Sequence, residues 1–239
     1  MNITVKQFEQ DNRDLINYWL DHAHYKPVSN VEDIIPKKID ATRPRSRRRF
    51  ALLHHSLRLL KHIDLTNSKR VIDIGAGFGD FTLLAKYYNF EQLDATDPGI
   101  DQYKFLTTYM QDYYDNIYNL GIEDVNLQGY DTAILSGMWF PNYRVALEKY
   151  IFGTDIRTII IGDRFEKSKR FTEQVHFKTT YAAPWKYNND ASRYLIGKNF
   201  LDMIMRSNGF AATSSFELQS QQNYNKYYYN KYILQYTRK

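Results

Sequence analysis

The chain has 239 residues, a formal net charge of +5 and 43% apolar residues, enough to bury the core of one α/β domain with an extension but short for two full domains. It contains no cysteine, which excludes disulfides, thiolate metal sites and every mechanism with a cysteine nucleophile. No apolar run approaches the roughly 18 residues of a membrane span and the first residues lack the apolar stretch of a secretory signal, so a cytoplasmic location without a membrane partner is expected.

The positive excess gathers in "RPRSRRRF", where Arg43, Arg45, Arg47, Arg48 and Arg49 crowd together, and in Lys167, Lys169 and Arg170. Both groups suit phosphates and both also read as solvated surface, so nucleic acid ranks as a partner behind a small molecule. Oligomeric state is open.

In chain order, the region before residue 70 reads as helical. "VKQFEQDNRDLINYWLDHA" carries Phe8, Leu15, Trp19 and Leu20 near helical spacing, and "FALLHHSLRLLKHI" puts Phe50, Leu53, Leu57 and Leu60 on one stripe. The proline-bearing "YKPVSNVEDIIPKKIDATRP" between them reads as loop. Strand and helix then alternate. "RVIDIG" is a β-branched strand, "DFTLLAKYYN" a helix with Asp80 at a capping position, and "QLDATD" a second strand. "DQYKFLTTYMQDYYDNIYN" spaces Tyr103, Leu106, Met110, Tyr113 and Ile117 at three and four, which predicts one helix.

"YDTAILSG" follows as a strand, "RVALEKYIF" as a helix and "RTIIIGDRF" as a strand. A long polar stretch precedes the helix "YLIGKNFLDMIMRSNGF", with Gly209 as its C-cap, and "AATSSFELQ" and "KYYYNKYILQYTRK" are two closing strands. The alternation predicts a parallel, doubly wound sheet with an antiparallel addition at one edge. The tyrosine-rich last strand reads either as a solvated edge or as an interface.

Between the first strand and its helix, "VIDIGAGFGDF" places Gly75, Gly77 and Gly79 at alternate positions behind an acid, Asp73. Such a turn lets a ligand lie against bare backbone. Dinucleotide folds use G-x-G-x-x-G, with a third glycine or alanine where this chain has Asp80. An acid, one spacer and G-x-G-x-G instead resembles motif I of the class I S-adenosylmethionine-dependent methyltransferases. An acid at the end of the second strand strengthens the likeness: Asp97 in "LDATDPG" lies one strand–helix–strand step further on, and Asp94, at mid-strand, is the competing choice.

The resemblance covers roughly residues 50 to 239, and its specific part runs from 71 to 97. It implies a Rossmann-like, mostly parallel seven-stranded sheet with an antiparallel C-terminal strand. It further implies an N-terminal helical extension, residues 1–45, acting as a lid on a catalytic domain, residues 46–239. The implied cofactor is S-adenosyl-L-methionine. Its site would comprise Asp73, Gly75, Ala76, Gly77, Gly79, Asp97 on both ribose hydroxyls, Pro98, Glu123 or Asp124 near the adenine, and Ser136 and Gly137 at the end of "YDTAILSG".

The implied activity is methyl transfer to a small-molecule or glycan hydroxyl. RNA methylation and an inactive S-adenosylmethionine-binding scaffold are the alternatives. A likeness to bacterial sugar- and glycan-associated methyltransferases rests on "IIIGDRF" and "YAAPWKY". The acceptor side would be built beyond the fourth and fifth strands from Trp139, Phe140, Tyr143, Arg164, Tyr181 and Trp185, with His176 as first candidate base and Asp163 as second. Asp163 and Asp190 are the only acids that suit a metal, and no metal site is expected. Three subclasses are disfavoured. "SGMWFP" lacks the paired prolines of DNA amino-methylating enzymes, cytosine C5 chemistry needs a cysteine, and no pair of glutamates follows the fourth strand.

Overall fold

Apolar side chains alternate along the central strands, and that alternation divides the molecule into two cores on either side of one sheet. The computed structural model describes residues 3–22, 57, 59–77, 79, 81–85, 87–136, 143–166, 175–178, 192–195, 197–218 and 229–239. The strands are β1 (Arg70–Ile74), β2 (Gln92–Thr96), β3 (Asn116–Tyr118), β4 (Thr132–Ser136), β5 (Thr158–Glu166), β6 (Val175–Lys178), β7 (Ser192–Leu195), β8 (Phe210–Leu218) and β9 (Tyr229–Arg238). The helices are α1 (Val5–Asp11), α2 (Arg13–His22), α3 (Thr82–Ala85), α4 (Ile100–Tyr109), α5 (Tyr143–Ala146) and α6 (Lys198–Ser207). Helix α5 continues as a π-turn, Leu147–Ile151, closed by the Phe152 N–H on the Leu147 carbonyl at 2.9 Å.

Seven strands form one sheet in the order β3-β2-β1-β4-β5-β9-β8. The first five run parallel, and β9 lies antiparallel between β5 and β8. The doubly wound, mostly parallel sheet with an antiparallel C-terminal strand is therefore the observed architecture. Val71, Ala95, Ile134, Ile160 and Ile233 face one core, which α1, α2, α3 and α4 cover with Phe8, Ile16, Leu20, Leu83, Leu84 and Leu106. Their neighbours Ile72, Ile74, Ala133, Leu135, Ile159, Ile161 and Leu234 face the other, with Leu147, Ile151, Leu201 and Met205. Side chains that alternate faces at period two give "RTIIIG" an isoleucine for each core.

Several sequence-based expectations are corrected. The N-terminal helix is two helices, broken at buried Asn12, whose side-chain amide donates to the Phe8 carbonyl at 2.9 Å and to the Tyr87 hydroxyl at 3.3 Å. Within residues 3–22, Phe8 stacks on Tyr87 at 5.6 Å, and the Tyr87 hydroxyl donates to Asp11 at 2.9 Å. The helix expected across "DQYKFLTTYMQDYYDNIYN" ends at Tyr109, passes through a 3₁₀ turn at Gln111–Tyr113 and gives way to β3, so Ile117 is a strand residue. The tyrosine-rich strand β9 is interior, and β8 is the outer strand, with a register shift between Ala212 and Ser214. Gly209, at φ 80°, follows the C-cap Asn208 of α6 and donates to the Arg206 carbonyl, which satisfies the helix end as its left-handed residue.

Asp94, the rival to Asp97, has a structural task. Fully buried in β2, it accepts from Gln92 Nε2 (2.7 Å), the Asn116 backbone N–H and Nδ2 (3.1 Å each) and the Tyr130 hydroxyl. Burial, and then the Asp94 carboxylate, push the Tyr130 phenol above its ordinary value. Replacing Tyr130 with Phe removes a donor from a buried charge and is expected to cost ~1.5–3 kcal/mol in urea denaturation. A loss below ~0.5 kcal/mol would mean that Asn116 and Gln92 suffice for this carboxylate.

Candidate functional site

The parallel register brings the expected residues to one edge. Ile74 pairs with Thr96 and Thr96 with Tyr118, so Gly75, Asp97 and Asn119 each stand one residue past the ends of adjacent strands. Ligands of open α/β sheets bind outside these carboxyl ends. The Thr96 carbonyl accepts from both the Gly75 N–H (2.7 Å) and the Ala76 N–H (3.0 Å), which folds the chain back over the strand end.

Gly75, Gly77 and Gly79 all have positive φ, at 68°, 61° and 74°. Only glycine enters this region without strain, so three left-handed residues at alternate positions account for the glycine spacing in "GAGFG". Two of them serve different purposes. Among the described residues, a Cβ on Gly77 would meet nothing within 4 Å, so they leave the turn open on that side. A Cβ on Gly79 would lie 3.2 Å from Leu106 and 3.3 Å from Met110, so this glycine closes the turn onto α4 and the residue that caps it.

Asp97 is 3% exposed and anchored through every polar group it owns. Its N–H donates to the Tyr118 carbonyl (3.1 Å), and its carbonyl accepts from Asn119 Nδ2 (2.9 Å). Oδ2 accepts from the Gly77 N–H (2.9 Å) and Oδ1 from the Gly99 N–H (2.8 Å), which joins the glycine turn to the N-cap of α4 through one carboxylate. Each oxygen keeps a further acceptor position. Burial holds the Asp97 pKa above the usual carboxylate value, and the Gly99 and Gly77 amides offset this in part.

Asp73, the fourth residue of β1, is 3% exposed and accepts from the Tyr114 hydroxyl at 3.0 Å. Exposed Pro98 follows Asp97 at the same edge. Glu123 is half-buried in the loop after β3, with its carboxylate filling the space beside Gly121, whereas Asp124 is exposed. Ser136 ends β4 opposite Gly162, and its side chain lies outside the described residues, as do Gly137, Trp139, Phe140, Tyr181, Trp185, Asp190 and the arginine cluster at 43–49.

Asp163 and Arg164 were expected beyond the fifth strand but lie within it. β5 continues past its last pairing with β4 and runs on against β9, with Asp163 opposite Tyr232 and Arg164 opposite Lys231. His176, expected in a loop, is a strand residue of β6, opposite Tyr194 of β7 in a separate two-stranded sheet. The side chains of Asp163, Arg164 and His176 are outside the described residues. His62 stacks on Phe216 with ring centroids 3.6 Å apart. Among the described residues, no group of three or more His, Asp or Glu side chains could hold a metal, and no helix is long and apolar enough to cross a membrane.

Sequence reasoning missed Gly99, Asn119 and Tyr114. The dipeptide "PG" after Asp97 signalled a turn that delivers the Gly99 amide, and nothing in the sequence pointed to the other two.

No family model and no curated protein sequence matches the chain. Solved structures do match in fold. Magnesium protoporphyrin IX methyltransferase (ChlM) from Synechocystis PCC 6803 with bound SAM superposes with a TM-score of 0.55 at 15% identity, over 100% of this chain and 99% of that one. The O-MT segment of StiE gives 0.56 at 15% identity, over 87% and 84%. The N-terminal domain of EvdMO1, crystallised with SAH and D-fucose, gives 0.54 at 10% identity, over 72% and 77%. The fold is that of the class I S-adenosylmethionine-dependent methyltransferases.

The two glycines separate packing from openness. Gly79→Ala is expected to lower stability by more than Gly77→Ala, because both strain a left-handed backbone but only the first drives a methyl group into Leu106 and Met110. Thermal unfolding of the pair checks this, and equal losses would leave backbone strain as the sole cost at both positions.

Proposed function

We propose that the protein is an S-adenosylmethionine-dependent methyltransferase acting on a hydroxyl of a small molecule, sugar or glycan. The observation that carries this reading is the Asp97 carboxylate, fixed by the Gly77 and Gly99 amides beside three left-handed glycines at the carboxyl edge of the sheet. The residues suit the donor. The free acceptor position on each Asp97 oxygen matches two vicinal ribose hydroxyls, and the open side of Gly77 admits a ligand against the backbone. Pro98 and Glu123 flank the nucleoside side, and Ser136 and Gly137 the side toward the acceptor.

When bound, the donor supplies an activated methyl group: the acceptor oxygen bonds to the methyl carbon as the carbon–sulfur bond breaks and its electron pair returns to sulfur. The chain's own task is to orient the two reactants, exclude water and accept the hydroxyl proton. His176 is the first candidate for that proton and Asp163 the second, with Trp139, Arg164, Tyr181 and Trp185 on the acceptor. Topology supports this assignment. β5 leaves the sheet at the Asp97 edge, and α6, which feeds the start of β8 at the opposite edge, runs back from it. Both ends of the segment bearing His176 therefore lie on the donor side. The sugar class draws support from EvdMO1, a neighbour in fold crystallised with D-fucose.

Calorimetric titration with S-adenosylmethionine, its demethylated product and NAD is the first test. Binding of the first two without NAD supports the reading, and binding of NAD alone overturns it. Asp97→Ala is expected to weaken donor binding by about 1–3 kcal/mol, the scale of losing charged hydrogen bonds. The ionised acid accepts both hydroxyls, so donor affinity should fall as pH drops through the raised Asp97 pKa, at a higher pH than an ordinary aspartate with a pKa of about 3.9 would give. In Asp97→Asn that step should vanish. His176→Ala is expected to abolish turnover in an acceptor screen while donor affinity stays intact; retained turnover would pass the role to Asp163.

A further inference from the structure

The chain between α4 and β3 makes one contact that the donor reading leaves unused. Tyr114 is 5% exposed and directs its hydroxyl at Asp73 Oδ2, 3.0 Å away, from a position 41 residues along the chain. Its ring belongs to the core cluster that holds Leu106 and Met110, the two side chains against which Gly79 closes. One stretch, from α4 to Tyr114, therefore supports the glycine turn from beneath and supplies a hydrogen-bond donor to the acid that precedes the turn.

A carboxylate this deeply buried stays ionised only where donors replace lost water, and a phenol donor fixes the direction of one oxygen as well. Asp73 stands on β1, between β2, whose end leads into Asp97, and β4, which leads toward the acceptor side. A donor held by its ribose at Asp97 and reaching toward β4 crosses β1 with its cationic part, since its nucleoside is neutral while its sulfonium and ammonium groups are positive.

On the donor reading above, we propose that Tyr114 is a positioning residue: it orients the ionised Asp73 so that the negative charge favours the cationic amino-acid end of S-adenosylmethionine over its nucleoside end. This predicts a selective loss that damage to the core would not produce.

The test is calorimetric titration of the wild type and Tyr114→Phe with S-adenosylmethionine, S-adenosylhomocysteine and 5′-methylthioadenosine, which has the nucleoside but neither cationic group. Phe keeps the ring in the core and removes only the hydroxyl. The expected result is about tenfold weaker S-adenosylmethionine binding, the lower end for a hydrogen bond to a charge, with methylthioadenosine unchanged. S-adenosylhomocysteine, which keeps the ammonium alone, should fall between them. Asp73→Asn, which can still accept from Tyr114, should reproduce the pattern and guards against a folding defect in the first variant. Equal weakening of all three ligands, or unchanged S-adenosylmethionine affinity in either variant, overturns the proposal. A wild type that binds none of them overturns the donor reading itself.

Discussion

The Asp97 carboxylate, held between the amides of Gly77 and Gly99, is the contact on which the rest of the site depends. It ties together the glycine turn after β1, the end of β2 and the start of α4 at the open edge of the sheet. The arrangement opposes stability. Burial raises the Asp97 pKa, so the folded chain holds this proton more tightly than the unfolded one. That contribution to stability is whole below the unfolded value and is lost as pH rises through the folded one, so at neutral pH the ionised acid is a destabilising feature. Retaining it at the sheet edge accords with a site kept for binding rather than for folding.

Three aspartates on or just past the first two strands illustrate how alike residues diverge in role. Asp94 and Tyr130 close a hydrogen-bonded network with Gln92 and Asn116. Asp73 meets Tyr114 in the opposite core, and the Asp97 carboxylate meets the backbone amides of Gly77 and Gly99. All three are buried, so burial does not separate them, and the partner of each does. Two tyrosines, one on either face of the sheet, let it carry charge inside without leaving the charge unpaired.

Much of this was legible in the sequence because its signals are local. Alternation marked β1, β2, β4 and β5, and positive φ at Gly75, Gly77 and Gly79 follows from a spacing only glycine satisfies. β3 was not legible: Tyr113 and Ile117 fall at helical spacing after Met110, and three residues are too few to impose a period of their own. The break at Asn12 depends on Tyr87, and the reach of β5 past β4 depends on β9, so both are decided by partners far along the chain. For the site, the acids and glycines were readable by spacing. Tyr114 and Asn119 were not, because each acts through one hydrogen bond fixed only by the tertiary fold.

The interior place of β9 bears on the order in which the molecule can be completed. Its residues Ile233 and Leu234 enter opposite cores, and Gln235 exchanges two hydrogen bonds of 2.7 Å with the backbone of Asp64, ahead of β1. During synthesis β5 and β8 emerge first and face each other across a missing strand, each with an unpaired edge. Neither core closes until the chain through Arg238 has left the ribosome. The strand of this sheet that comes latest in chain order is thus its keystone, and the nascent chain is most exposed to edge-to-edge association just before it arrives.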